Sequence, residues 1–290
     1  MKTYRVIALR AAAALAVVCA LSGCGDSLTG TGETEEELTN PDRAVAVLEA
    51  MTSRDTTVIQ EYVSETSFVA HDPTLISGRE ALIDAMLAGT YDDLAIEVLR
   101  TIEEGGLVAL HSRQIRAGVE AARFDILRFS NELVVEHWIN VQPTAGLSPD
   151  GHTMLDGAVP EGETDEELTE SNQDVVIDFN ISVLIQRDFD VYDGFFDSGS
   201  LIQHDPNVAD GSEAFRAYLE GDDPAVEYWW YHHVISQNDF VLVLAEGTLD
   251  GQHVAFFDLF RLADGLLAER WSVAEAIPPD EAWANDHGKF

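Results

Sequence analysis

The sequence predicts an α+β protein made of two tandem copies of one unit, and three observations carry that expectation. His71-Asp72-Pro73, followed by Gly78 and Glu80-Ala81, recurs as His204-Asp205-Pro206, followed by Gly211 and Glu213-Ala214, a gapless shift of 133 residues from position 71 to position 204. The same shift carries Arg54-Asp55 onto Arg187-Asp188, Phe124-Asp125 with Arg128 onto Phe257-Asp258 with Arg261, and Glu136 with Trp138 onto Glu269 with Trp271. Each copy opens on helical periodicity and closes on four strand-like stretches, the order of an α+β unit. Between the copies, Gly146 to Glu170 is rich in Gly, Pro, Asp and Glu and lacks periodicity. A repeat of about 100 residues is a whole domain rather than a solenoid unit. The expected division is therefore a domain over 40–145, a linker over 146–172, a second domain over 173–277 and a tail over 278–290.

Ahead of the first unit, Lys2, Arg5 and Arg10 precede an apolar run, Ala11 to Leu21, too short to span a bilayer and typical of an export signal, here 1–23. Leu21-Ser22-Gly23-Cys24 resembles a bacterial lipobox, which would place an acyl chain on Cys24 and anchor the chain to a membrane of the cell envelope; the other reading is an ordinary signal peptide with an incidental Cys. Residues 24–39 are Gly, Thr and Glu rich and read as an acidic tether. The only other cysteine, Cys19, leaves with the signal, so disulfides and thiolate metal sites are excluded from the folded units. A formal net charge of −37 repels nucleic acid and anionic surfaces. The chain has two lysines, Lys2 and Lys289, a bias that fits either a saline habitat or merely an acidic exported protein.

Within the first unit, Asn40-Pro41-Asp42 reads as a helix start with Asn as N-cap, and Val45, Leu48, Met51 and Thr52 keep one face to about Arg54. A short helix follows over 57–63; the second-unit equivalents are 174–186 and 189–196. An extended stretch, 67–70 or 200–203, enters His-Asp-Pro. Ser77-x-x-Glu80 and Asp210-x-x-Glu213 then read as capping boxes of a third helix. Strands are expected over 94–102, 106–116, 119–129 and 133–142, and over 227–235, 239–249, 252–262 and 266–275.

The last hairpin sets the expected faces. With Asp264-Gly265 in the turn, Ala263 pairs with Leu266, so Phe260 falls opposite Glu269 and Asp258 opposite Trp271, all on one face. Leu259, Arg261 and Arg270 fall on the other. Asp125, Leu127, Glu136 and Trp138 repeat the pattern in the first unit, joined by Arg123. A face mixing Trp with carboxylates reads as a pocket wall.

These motifs, His-Asp-Pro-x4-Gly-x-Glu-Ala, Phe-Asp-[Ile/Leu]-x-Arg and Glu-x-Trp, each present twice in order, resemble the SnoaL-like group of the nuclear transport factor 2-like superfamily. The second unit keeps the Ile202-Gln203-His204 and Asp210-Gly211 of that pattern, and the first keeps Glu136-His137-Trp138 and Gln142-Pro143. The resemblance implies a cone-shaped α+β barrel, with helices packed in a strongly curved antiparallel sheet around an apolar cavity. It also implies cyclase or isomerase chemistry without a cofactor in some members, and dimerisation through the sheet. The Asp that follows Trp in the family pattern is replaced by Ile139 and Ser272.

Candidate catalytic residues are therefore His71 and Asp125 in the first unit and His204 and Asp258 in the second, with an imidazole and a carboxylate serving acid–base chemistry. Against this, each His could simply pack, and each Asp could be held in an ion pair by a residue such as Arg123. Trp138, Trp271, Glu136 and Glu269 complete the expected pocket. On the Tyr228–His233 stretch, Trp230 and His232 are expected on the same buried side as Tyr228, where they either line the cavity or only thicken the core. A metal would require His204, His232 and Asp258 to converge, and none is expected. Loss of the acid after both Trp residues favours a membrane-anchored binding or scaffold protein for a small apolar ligand; the alternative is an enzyme of cyclase or isomerase type. The two units are expected to meet through their sheets as an intramolecular pair, with the faces of Arg128/His137 and Arg261/Arg270 at the contact.

Overall fold

Both units are built on the same order of strands. A computed structural model describes residues 37–144, 146–221 and 225–290, so the expected export signal, Cys24 and nearly all of the expected tether lie outside the described residues. In the first unit, helices α1 (Asn40–Ser53), α2 (Thr56–Tyr62) and α3 (Arg79–Leu87) accompany β1 (Val69–His71), β2 (Leu94–Glu104), β3 (Leu107–Arg116), β4 (Val119–Ser130) and β5 (Leu133–Pro143) in the sheet order β1-β5-β4-β3-β2. In the second, α4 (Glu166–Phe179) and α5 (Ser212–Glu220) accompany β6 (Ile202–Gln203), β7 (Val226–Gln237), β8 (Phe240–Leu249), β9 (Gln252–Ala263) and β10 (Leu266–Ala276) in the order β6-β10-β9-β8-β7. Only the short first strand of each sheet runs parallel to its neighbour. The architecture is thus α+β, two units in which helices cover one face of an otherwise antiparallel sheet.

Local chemistry explains where the elements begin, and several starts differ from expectation. Thr39, not Asn40, caps α1: its hydroxyl accepts from Asp42 N while Asp42 reaches back to Thr39 N, a reciprocal box with Pro41 in the first turn. The long α4 starts at Glu166, inside the stretch read as linker, because Asp165 accepts from Leu168 N and Glu166 and Glu167 favour the positive end of the helix. It continues as a π-helical turn, Asn180–Ile185, and the expected helix over 189–196 is a 3-10 turn at Tyr192–Phe195.

The two expected capping boxes do not form. Gly78 and Gly211 occupy the N-cap positions of α3 and α5 without a side-chain bond. Ser77 Oγ instead accepts from Ala70 N, and Asp210 Oδ1 accepts from Gln203 N, so each side chain ties the short edge strand to the helix start. An edge strand with few ladder bonds gains more from that tie than a helix with a solvated first turn.

The register of the last hairpin also departs from the two-residue-turn count. Ala263 pairs with Leu266 and Leu262 with Leu267, but Arg261 then pairs with Glu269, leaving Ala268 as a bulge; Val135 is the equivalent bulge in the first unit. One inserted residue reverses the alternation beyond it. Asp258 therefore stands opposite Ser272 and shares its face with Arg270, and Asp125 stands opposite Ile139 and shares its face with His137. Glu136, Trp138, Glu269 and Trp271 move to the face away from the helices.

Three apolar clusters result. One lies under the helices of each unit, and a third joins the outer faces of the two sheets through Phe124, Ile126 and Trp138 from one and Leu242, Phe257 and Trp271 from the other. Residues at equivalent positions touch there: Asn140 Nδ2 donates to the carbonyls of Ala255 and Val273, and Val273 is Asn140 displaced by 133. Glu103 N donates to Gln237 Oε1, matched by Ser236 N to Glu104 Oε2. Arg128 and Arg261 lie on the outer face, whereas the bulges turn His137 and Arg270 inward, against expectation.

Each unit's C-terminal extension lies on the other unit. Residues 148–158 form a strap on the second unit, with Met154 and Leu155 buried and the Arg100 guanidinium donating to the carbonyls of Leu155, Asp156 and Ala158. The tail crosses to the first unit, where Asn285 Nδ2 donates to the carbonyls of Asp72 (2.9 Å) and Leu75 (2.8 Å) and Ala284 N donates to Pro73 O. Lys289 is buried between Ile139 O and Glu275.

Candidate functional site

The sheet separates the residues that sequence reasoning placed together. In the first unit His71 stacks on Trp138 with centroids 4.3 Å apart on the outer face, while Asp125 is fully buried on the inner one. In the second, His204 stacks on Trp271 at 4.6 Å on the outer face, while Asp258 is buried inside. The expected sets His71, Asp125, Trp138 and His204, Asp258, Trp271 therefore do not converge, because the bulges at Val135 and Ala268 put Trp and Asp on opposite faces.

On the inner face of the first unit lies a cavity of about 510 Å³ lined by Met51, Phe68, Leu82, Ala85, His137 and Ile139 among others. A second space of about 500 Å³ shares Met51, Thr74, Leu75, Thr90, Tyr91 and Ile139 with it and leads to Gln114, Arg123 and Glu275. The cavity exists because small side chains stand where the second unit has aromatic ones. Leu82, Ala85 and Leu127 correspond to Phe215, Tyr218 and Phe260 at the shift of 133, and Phe215 and Phe260 pack with Phe179, Tyr192 and Phe195 in the second core. That contrast is readable in the sequence from the aligned repeats, although its meaning depends on knowing which positions face inward.

Beside the cavity, Asp125 is held by three bonds. Arg123 Nε donates to Oδ2 at 2.7 Å and Nη2 to Oδ1 at 2.6 Å, and His137 Nε2 donates to Oδ1 at 2.8 Å. Arg123 Nη1 also donates to Gln114 Oε1. Burial alone would push the Asp125 carboxyl up, but the Arg123 charge and the bonds from His137 and Arg123 override it and hold the group down at about 2. Burial raises the Tyr91 hydroxyl, and it raises Glu275 against the opposing charge of Lys289.

The second unit solves the same problem differently. Phe256 replaces Arg123 and Arg270 replaces His137, so Asp258 accepts from Arg270 Nη2 at 2.6 Å and from the Tyr228 hydroxyl at 2.9 Å. Burial raises Asp205, whose Oδ2 lies 4.0 Å from Arg270. Arg270 also sits over the ring of Phe215.

On the outer faces, Glu136 pairs with Arg128 and Glu269 with Arg261. His71 has neither ring nitrogen bonded, and burial lowers it to about 4 in spite of nearby Glu136. His204 differs: Nε2 is 2.8 Å from Glu269 Oε1, and Nδ1 is 2.8 Å from both Thr153 O and Asp156 Oδ1. Two pocket expectations fail outright. Bulges at Trp229 and His232 turn Trp230 out to solvent, 63% exposed, and His232 binds Glu246 and stacks on Phe290. Sequence reasoning missed His152 and Asp156, because an aperiodic segment gave no sign that it would pack.

No family model and no curated protein matches the chain. Solved structures do. An NTF2-like protein of unknown function from Cytophaga hutchinsonii is 15% identical, the match covering 38% of this chain and 95% of that one with a TM-score of 0.33. An NTF2-like protein of unknown function from Burkholderia xenovorans is 20% identical over 36% of this chain and 82% of that one, TM-score 0.31. A SnoaL-like polyketide cyclase from Agrobacterium tumefaciens is 14% identical over 37% of this chain and 93% of that one, TM-score 0.31. Each match spans a little over a third of this chain.

Proposed function

We propose that the chain is a binding protein whose first unit takes one small, largely apolar molecule, while the filled second unit serves as its intramolecular partner. The observation that carries this reading is the cavity of about 510 Å³ beside a carboxylate already satisfied by Arg123 and His137. A carboxylate held near 2 is a poor proton acceptor at neutral pH, and its three donors occupy the oxygens a substrate proton would need. Tyr91, Gln114 and Glu275 at the polar end would orient one polar group of the ligand. Cys24, acylated at the Leu21-Ser22-Gly23-Cys24 motif, would hold the protein at a membrane.

The test uses a neutral fluorophore, 1-aminoanthracene, because the net charge would repel anionic dyes. Binding should be saturable and lost in Ala85→Tyr, which installs the side chain of the second unit. Unchanged binding in Ala85→Tyr would remove the cavity from the proposal. Ring closure or enolisation of model ketones by the wild type, abolished in Asp125→Asn, would replace it with an enzyme.

A further inference from the structure

We propose that His152, Asp156 and His204 form a site for one divalent cation of the zinc class, clamping the strap onto the second unit. A ligand atom from each of the three lies within 4.8 Å of those of the other two, close enough that small side-chain rotations would bring them to ligand distances of about 2.0–2.2 Å from one ion. Two imidazoles and a carboxylate suit zinc rather than magnesium or calcium, which prefer all-oxygen sites.

The surroundings of His204 point the same way. Its side chain is almost fully buried, and Nδ1 faces two oxygens at 2.8 Å, Thr153 O and Asp156 Oδ1, a position that a proton or a metal ion can fill. On the other side of the ring Nε2 faces Glu269 Oε1 at 2.8 Å, and Glu269 is itself fixed by Arg261. A carboxylate on the far nitrogen is the arrangement that orients a metal-binding imidazole and raises its basicity. His152 packs edge-on to the ring of His204 at 5.3 Å and remains about one-third exposed, which leaves the ion an entry path.

Gly157 lets the strap seat this closely. It has φ +100, and a Cβ there would collide with Glu269 Oε1 and lie 2.6 Å from Trp271 Cζ2 and 2.8 Å from His204 Nε2. The first unit supplies an internal contrast. At the shift of 133, Asn285 stands for His152 and Lys289 for Asp156, neither suited to the role, and His71 has no partner at either nitrogen.

The experiment titrates the metal-free full chain with Zn²⁺ in excess Mg²⁺, which saturates weak sites on the acidic surface, and repeats it with Co²⁺ as a spectroscopic probe. One Zn²⁺ per chain, a visible Co²⁺ band, and affinity lowered about tenfold or more in both His152→Ala and Asp156→Asn are expected. Zn²⁺ should also raise the melting temperature of the wild type and not of either variant. Zn²⁺ affinity and stoichiometry equal in wild type and His152→Ala, or no binding beyond that displaced by Mg²⁺, would overturn the proposal.

Discussion

Burial makes single side chains decisive in this molecule. Asp125 and Arg123 are both buried, so Asp125→Asn leaves a guanidinium in the interior with its countercharge gone, and a loss of about 3–5 kcal/mol is expected in urea unfolding. The pH dependence follows the same pair. The folded Asp125 carboxyl, near 2, lies below its ordinary value of 3.8, so its stabilisation is complete above about pH 4 and disappears as the pH falls toward 2. His71 acts in a higher window. Its folded value near 4 lies below the ordinary 6.5, so the unfolded chain binds the proton first and stability declines as the pH falls from 6.5 to 4. His71→Phe keeps the stack on Trp138 and removes the titration; melting temperatures measured across that window should be flatter for the variant. An equal slope in both would assign the pH dependence elsewhere.

At the scale of elements, much was legible in the sequence and one class of feature was not. The order of helices and strands followed from periodicity, Pro and Gly, and the 133-residue repeat tied each element to its copy. The faces of the last strands did not follow, because the bulges fall at Val135 and Ala268, ordinary apolar residues with no glycine to announce them. That single omission moved Trp138, Glu136, Trp271 and Glu269 to the wrong side of the sheet and assembled two sites that the fold takes apart. Ser77 and Asp210 were misread for a related reason, since a side chain that caps a helix in sequence can equally tie a strand in space. Ser77→Ala should cost about 1 kcal/mol through the bond to Ala70 N, seen as faster amide exchange in β1 rather than in α3. Gly157→Ala should unseat the strap, read as protease cleavage within 148–158 at concentrations that leave the wild type intact.

The whole molecule is held by a contact between sheets in which equivalent residues meet. Asn140 donates to two carbonyls of the second unit from a fully buried position, so Asn140→Ala removes two hydrogen bonds across the contact and should cost about 1–3 kcal/mol in global unfolding. A loss of that size with one cooperative transition fits units that unfold together, whereas two separated transitions would mean that they do not. The sequence carried the duplication and the contrast between Ala85 and Tyr218 that empties one core and fills the other. It carried no sign of the two crossing extensions, because their contacts are made by carbonyls and isolated side chains rather than by any repeating pattern. Those extensions also impose an order on biosynthesis. The carbonyl of Leu75 receives a donor from Asn285, 210 residues further along, so the unit made first stays unfinished at its edge until the second unit and the segment that follows it have been made.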